Sequence, residues 1–296
     1  MQPRNTLRFT ALAIALSLPS LAFAQRDAAK DLDNVVVTAT RTAITVDDAL
    51  AAVEVIDRND IERSAARSLP ELLRGRAGVS LVNQGGLGKL STLFLRGTES
   101  DHTLFLIDGV RVGSATSGLT SLQDLPLEQI ERVEIVRGPR SSLYGADAIG
   151  GVIQVFTRRG KGNAGVRGRA RIGAGSHGLR EASAGIDLRG ARGGVGLDLG
   201  HQSTNGIDSC RGIGAPWYAG CGMDNPDPDR DGYRNNNVSL RADFAASEAW
   251  QFEAQGLRAR GHNFFDADPA WGLPDNSKVL QQVVGGSVRY RPSQAL

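Results

Sequence analysis

Cysteine is nearly absent. The 296 residues hold two, Cys210 and Cys221, and no second cysteine pair or histidine pair stands where it would complete a zinc site. The four histidines, His102, His177, His201 and His262, are scattered, with neither a metalloprotease spacing nor a nucleophile elbow near them. No catalytic set emerges, so the sequence gives no reason to expect an enzyme. Long apolar runs are missing as well: none reaches the roughly 18–20 residues that a helix needs to cross a bilayer. Excess charge is also lacking. The formal net charge is +2, and Arg4 and Arg8 account for it, since residues 1–24 contain no acid. A neutral remainder argues against generic nucleic-acid binding.

What is present begins with an address. Arg4 and Arg8 precede an apolar stretch from Phe9 to Phe23, and Ala22-Phe23-Ala24 has the small-x-small form of a signal-peptidase site. The expectation is a cleavable signal peptide over 1–24, and a mature chain in a compartment where Cys210 and Cys221 can be oxidised. Their close spacing suggests a loop staple, with two free or metal-bound thiols as the other reading. Hydrophobic residues at 41% exclude a disordered chain, and 37 glycines, well above the usual ~7%, signal many tight turns or close backbone approaches.

From about Ile44 to Thr157 the sequence reads as a compact α+β domain. Ser68-Leu69-Pro70-Glu71 offers an N-cap, an early proline and a capping-box glutamate, and Gly75 stands where that helix should stop. Leu93–Leu95, Leu104–Ile107, Val133–Val136 and Val152–Phe156 are short apolar runs bounded by glycine turns, which predicts strands. A second short helix is expected over Leu127 to Glu131.

After about Gly162 the texture changes to alternation. Val166, Gly168, Ala170, Ile172 and Ala174 interleave with Arg167, Arg169, Arg171 and Gly173, and four more segments repeat the pattern up to Trp250, Phe252 and Ala254. Near Gly256 the alternation slips by one residue, which predicts a bulge. Two architectures produce such strands. One is a soluble sandwich that buries the apolar face against a second sheet; the other is a membrane barrel whose apolar face meets lipid and whose polar face meets a water-filled lumen.

Several segments resemble the TonB-dependent outer-membrane receptors, and among them the cobalamin receptors. Asp33-Asn34-Val35-Val36-Val37-Thr38-Ala39 looks like the TonB box. Gly85-Gly86-Leu87-Gly88-Lys89-Leu90-Ser91-Thr92, Phe94-Leu95-Arg96-Gly97-Thr98 and Leu106-Ile107-Asp108-Gly109-Val110-Arg111 follow in family order. So does the long run from Val136-Arg137-Gly138-Pro139 through Tyr144-Gly145 to Gly150-Gly151-Val152-Ile153. The resemblance implies an α+β plug domain followed by antiparallel transmembrane β-barrel strands. The expected division is a segment with the TonB box over 25–43, the plug over 44–160, and the first barrel strands with their extracellular loops over 161–296. A 22-stranded barrel is implied, of which this length supplies about five or six strands, so an incomplete barrel, a fragment, is expected.

The segment Asp224-Asn225-Pro226-Asp227-Pro228-Asp229-Arg230-Asp231-Gly232 concentrates carboxylates that repel one another unless a hard cation intervenes. It mimics the start of an EF-hand, yet Val238 stands at the twelfth position, and the same residue types also make an ordinary solvated turn. The resemblance implies calcium in these early extracellular loops, ordered by Asp208, Asp227, Asp229, Asp231, Asp266 and Asp275, with a main-chain carbonyl at Phe265. Asp227 replaces an amide of the family pattern. The resemblance likewise implies substrate contacts at Leu90, Thr92, Glu99, Ser117, Gly118 and Ala267. Glu99 replaces an asparagine, and the loop from Val112 to Thr120 is one residue shorter than the pattern.

The function so implied is calcium-assisted uptake of cobalamin or another corrinoid across the outer membrane, energised by contact with TonB. One alternative keeps the fold and takes a ferric siderophore or haem. Another, from a different class, is a secreted calcium-binding structural β protein. Gly173-Ala174-Gly175-Ser176-His177-Gly178 satisfies GxGxxG but lies between two alternating strands, with no helix to hold a pyrophosphate.

Overall fold

The computed structural model describes residues 36–37, 44–45, 52–160, 163–208, 230–266 and 274–292. Residues 1–24, expected from the sequence to be a signal peptide, and Asp33, Asn34, Val35, Thr38, Ala39, Cys210, Cys221, Asp227, Asp229 and Ala267 lie outside them. Val36–Val37 (β1) pairs antiparallel with Ile44–Thr45 (β2).

Strand β3, Ala52–Ile56, runs into Asp57, whose carboxylate accepts the amide of Asp60 at 2.8 Å while Asp60 accepts that of Asp57 at 3.3 Å. This reciprocal box satisfies two orphan amides and starts helix α1, Arg58–Arg63. Helix α2, Leu69–Leu73, starts as its sequence predicts, with Ser68 as N-cap and Pro70 in the first turn. Its glutamate reaches further back than a capping box does: Glu71 Oε2 accepts from the amide of Arg67 at 2.8 Å. Val79–Asn83 (β4) and Ser91–Leu95 (β5) pair as a separate two-stranded sheet.

Thr103–Ile107 (β6) turns through Asp108 and Gly109 into Val110–Val112 (β7). Both turn residues have positive φ, 49° and 83°, the geometry that Asp-Gly accommodates in a two-residue hairpin. Ile130–Arg137 (β8), helix α3 over Ser141–Tyr144, and Gly151–Thr157 (β9) complete a five-stranded sheet of order β3-β8-β9-β6-β7. Strands β6 and β9 are parallel. The core gathers Ile56, Leu69, Leu73, Leu95, Ile107, Ile135 and Ile153, each buried. The helix expected over Leu127 to Glu131 is instead one 3-10 turn, Leu127–Gln129, and Ile130 and Glu131 already belong to β8. The β-branched Ile130, Val133, Ile135 and Val136 favour the pleated sheet, and β8 lies between β3 and β9, where their burial is rewarded.

Six further strands form one antiparallel meander: Gly165–Gly175 (β10), Leu179–Arg189 (β11), Gly193–Thr204 (β12), Tyr233–Ala245 (β13), Trp250–Phe264 (β14) and Asn276–Tyr290 (β15). At one rim they join through residues 190–192 and 246–249; at the other through 176–178 and the long segments 205–232 and 265–275. Short turns on one rim and long loops on the other are the asymmetry of outer-membrane barrels, with the long loops outside. The alternation settles onto two faces: Ile172 pairs with Ala182, Ile186 with Leu197, Leu197 with Leu240. This apolar face is bare, with Ile172 88% exposed and Val284 71%, and among the described residues no second sheet covers it. It is the polar face that packs on the N-terminal domain, through Arg241 and Gln255, which is the arrangement of barrel strands around a filled lumen and not that of a sandwich.

No bulge occurs at Gly256. The register of β14 runs unbroken on both sides, with Leu240 opposite Gly256 and Val284 opposite Gly256. The pattern slips because the environment changes: above Gly256 the inward Leu257 and Ala259 are buried, Leu257 within the N-terminal core cluster, while the outward Arg258 and Arg260 are exposed.

Candidate functional site

The inner face of the wall meets the N-terminal domain mostly through polar groups. The side chain of Asp108, at the β6–β7 turn, is 2% exposed and accepts from the amide of Thr157 at 3.0 Å, from its hydroxyl at 2.7 Å, and from the guanidinium of Arg241 on β13. Arg241 Nε also donates to Thr157 Oγ1 at 2.7 Å, and Gln255 Nε2 donates to the Asp108 carbonyl at 3.1 Å. Towards the short-turn rim, Arg189 donates to the Gly160 carbonyl at 2.7 Å and Arg159 pairs with Glu253 at 3.3 Å.

Towards the long-loop rim, the Tyr233 hydroxyl donates to Asp124 Oδ1 at 2.8 Å, and Asn235 Nδ2 donates to the Asp124 carbonyl at 3.0 Å. Gln129 Nε2 donates to Asn237 Oδ1 at 2.5 Å. Burial pushes the Asp124 carboxyl up to about 6, against the opposing effect of the Tyr233 hydrogen bond. Space is tight here. A Cβ on Gly261 falls 1.9 Å from Asp124 Oδ1, and one on Gly88 falls 2.1 Å from the Tyr233 ring.

Lys89 binds the same rim. Its side chain is buried, and Nζ donates to the carbonyls of Asp231 at 2.9 Å, Gly232 at 3.4 Å and Phe264 at 2.5 Å, and to Asn263 Oδ1 at 2.8 Å. Main-chain bonds knit the surrounding loop ends: Asp231 N to Ile207 O at 3.0 Å, Phe264 N to Gly232 O at 3.0 Å, and Phe265 N to Asp275 O at 2.9 Å. Asp208, Asp231, Phe265, Asp266 and Asp275 are thus brought to one rim. Their hard oxygens suit a cation such as calcium, although no group of three potential ligands is close enough to hold a metal among the described residues.

Residues 45–152 match the TonB-dependent Receptor Plug Domain. A vitamin B12 transporter, BtuB, of Vibrio cholerae is 36% identical over 269 residues, which is 90% of this chain and 42% of that protein. Its counterpart from Photobacterium profundum is 34% identical over 271 residues, with the same coverage. The chain belongs to the TonB-dependent receptors. It spans less than half the length of these curated relatives. Among solved TonB-dependent receptor structures, a mutant ferric enterobactin receptor of Pseudomonas aeruginosa aligns with a TM-score of 0.67 at 19% identity, covering 88% of this chain and 40% of that one. The ferric yersiniabactin uptake receptor of Yersinia pestis aligns at 0.61 and 18%, covering 82% and 39%. At that identity the likeness concerns the fold: a plug domain followed by the strands of a partial barrel.

On this receptor fold, the residues predicted to touch substrate fall into two groups. Leu90, 41% exposed, and Thr92 adjoin Lys89 and hence the long-loop rim. Glu99, Ser117 and Gly118 form the second: the ideal Cβ of Gly118 would lie 3.0 Å from Asp101 Cβ, just beyond the exposed Glu99. A cavity of about 300 Å³ opens beside them, lined by Asp101, Thr103, Arg111, Ser114, Gly118 and Asp147. A larger one, about 360 Å³, lies near the short-turn rim among Arg159, Asp187, Arg241 and Glu253, and none of the predicted substrate residues lines it. Sequence reading did not single out Asp108, Asp124, Arg241 or Lys89 as plug-to-wall contacts. For Lys89 a signal existed: a lysine with three neighbouring glycines, Gly85, Gly86 and Gly88, is a long cation on a loop able to approach another backbone.

Proposed function

We propose that the protein is a receptor for active uptake of cobalamin or another corrinoid across the outer membrane of a Gram-negative bacterium. The carrying observation is the 34–36% identity to vitamin B12 transporters across 90% of the chain, through both the plug and the barrel strands. The cavity beside Gly118 and the exposed Leu90 supply concave and apolar surface for such a ligand. An outer membrane holds no ATP, so energy arrives through a protein contact. In this reading the signal peptide over 1–24 exports the chain, and residues 33–39 add as a strand to the sheet edge of TonB. Calcium orders the long loops through Asp208, Asp227, Asp229, Asp231, Asp266, Asp275 and the Phe265 carbonyl, and a Cys210–Cys221 disulfide constrains one of them.

Binding and energisation are tested separately. Labelled cyanocobalamin should bind cells that express the protein, and should be internalised only when TonB is present. Val36→Pro removes a strand donor, so it should abolish uptake and leave surface binding intact. Binding of a ferric siderophore or haem in place of cobalamin would overturn the ligand. Calcium has its own readout: titration with Ca²⁺ should raise the melting temperature of the purified protein, and Asp231→Asn should reduce that rise.

A further inference from the structure

The outward face of the wall changes character along its height. Near the short-turn rim it carries Phe244, Phe252, Trp250 and Tyr290, with the Trp250 and Tyr290 rings 4.6 Å apart. Such an aromatic girdle marks a membrane interface. Apolar residues and glycine follow up to Gly256. Above them stands a grid on three paired strands: Arg234 and Asn236 on β13, then Arg258, Arg260 and His262 on β14, then Lys278 and Gln282 on β15. His262 lies between Arg234 and Lys278, and Arg260 between Asn236 and Leu280. Adjacent strands are about 4.8 Å apart and alternate residues about 6.6 Å, so four fixed cations share a patch little wider than one headgroup.

Three observations say what this patch takes. The outward positions of β11 through β15 include no carboxylate, because Glu181, Asp187, Asp198, Asp243 and Glu253 all sit on the inward registers. The inward Arg169, Arg189 and Arg241 each pair with an acid, whereas Arg234, Arg258, Arg260 and Lys278 form no ion pair among the described residues. Height decides the rest. From Trp250 to Arg260 is ten residues, and at about 3.3 Å each with a tilt of about 40° the strand rises about 25 Å, the height of the apolar band of such barrels. Arg260 therefore lies at the opposite headgroup level, on the long-loop side. Arginine matches phosphate by bidentate hydrogen bonds, and the exposed Leu240 and Val284 below offer a track for acyl chains.

We propose that Arg234, Arg258, Arg260 and Lys278 bind the phosphorylated headgroup of a lipid in the outer leaflet, one carrying at least two phosphates, with its chains lying on the apolar face beneath. This rests on that face meeting lipid, which is checked separately by whether the protein needs detergent to stay in solution. Native mass spectrometry on detergent-purified protein tests the site with two probes, diphosphoryl lipid A and the same lipid stripped of phosphate. The expected result is one retained diphosphoryl lipid, favoured about tenfold or more over the stripped form. That preference should fall about tenfold in Arg258→Gln/Arg260→Gln and survive in Arg258→Lys/Arg260→Lys, with strand content by circular dichroism confirming that each variant is folded. Arg289→Gln, at the opposite end of β15, should leave it unchanged. Equal retention of both lipids, an unaffected glutamine variant, or displacement of the lipid by excess inorganic phosphate alone would overturn the proposal.

Discussion

Asp124 makes the sharpest prediction because its environment and its titration are both defined. The side chain is buried at 3% exposure, and loss of water raises its pKa from 3.8 to about 6. In an undocked or unfolded plug it returns to the ordinary value. Between pH 3.8 and about 6 the docked form holds a proton that the undocked form lacks, so stability falls as pH rises through this window. Docking is strongest near and below pH 4, and the full difference at neutral pH is about 3 kcal/mol. Asp124→Asn keeps a carbonyl acceptor for the Tyr233 hydroxyl and has no charge to desolvate. Hydrogen exchange of peptides covering residues 122–129, followed from pH 4 to 8 and corrected for intrinsic rates, measures the effect. Wild-type protection should weaken with rising pH while the asparagine variant stays flat and, at neutral pH, better protected. A flat wild type, or equal slopes in the two proteins, would refute the reasoning.

Other substitutions address the same interface. Arg241→Leu strands the Asp108 carboxylate in a buried site with only Thr157 as donor; a loss of about 3–5 kcal/mol is expected in denaturant unfolding of the plug, and Asp108→Asn in the same chain should recover part of it. Gly88→Ala demands a Cβ inside the Tyr233 ring at φ +79°, so protease sensitivity of the 85–90 loop should rise sharply. Lys89→Met removes a cation from four oxygens and should cost about 2–3 kcal/mol, read as a lower unfolding midpoint.

Where a structural cause is local, the sequence displays it. Ser68, Pro70 and Gly75 frame α2, and the period-two runs place five barrel strands on their correct faces. Helix α1 escaped notice because it buries one residue, Ile61, and so lacks a periodic face; only the Asp57–Asp60 box announces it. The Gly256 slip misled because alternation reports polarity, and above Gly256 the outward residues turn basic and the inward Leu257 joins the plug core, while the backbone register stays constant. The interface contacts were illegible for a different reason. Asp124 and Tyr233 are 109 residues apart, and Gln129 and Asn237 are 108 apart. Each is an ordinary polar residue until the fold pairs them.

The wall faces two solvents, and this explains why its inner contacts are so largely polar. Outward residues must suit hydrocarbon below and phosphate above. Inward ones meet a plug that, in the proposed cycle, rearranges to pass a ligand. A buried hydrogen bond contributes only about 0.5–1.5 kcal/mol net, because water replaces the lost partner. Separating an apolar interface instead costs about 25 cal/mol for every Å² re-exposed, with no such compensation. Among the described residues, Leu257 and Val283 are the wall residues that join the plug core, so most of the described seam exchanges with water at modest cost. Resistance to rearrangement is then concentrated at the charged contacts: Asp108 with Arg241, Lys89 with the rim carbonyls, Arg159 with Glu253 and Arg189 with the Gly160 carbonyl. In the proposed uptake cycle, those are the contacts that a pull by TonB would have to overcome.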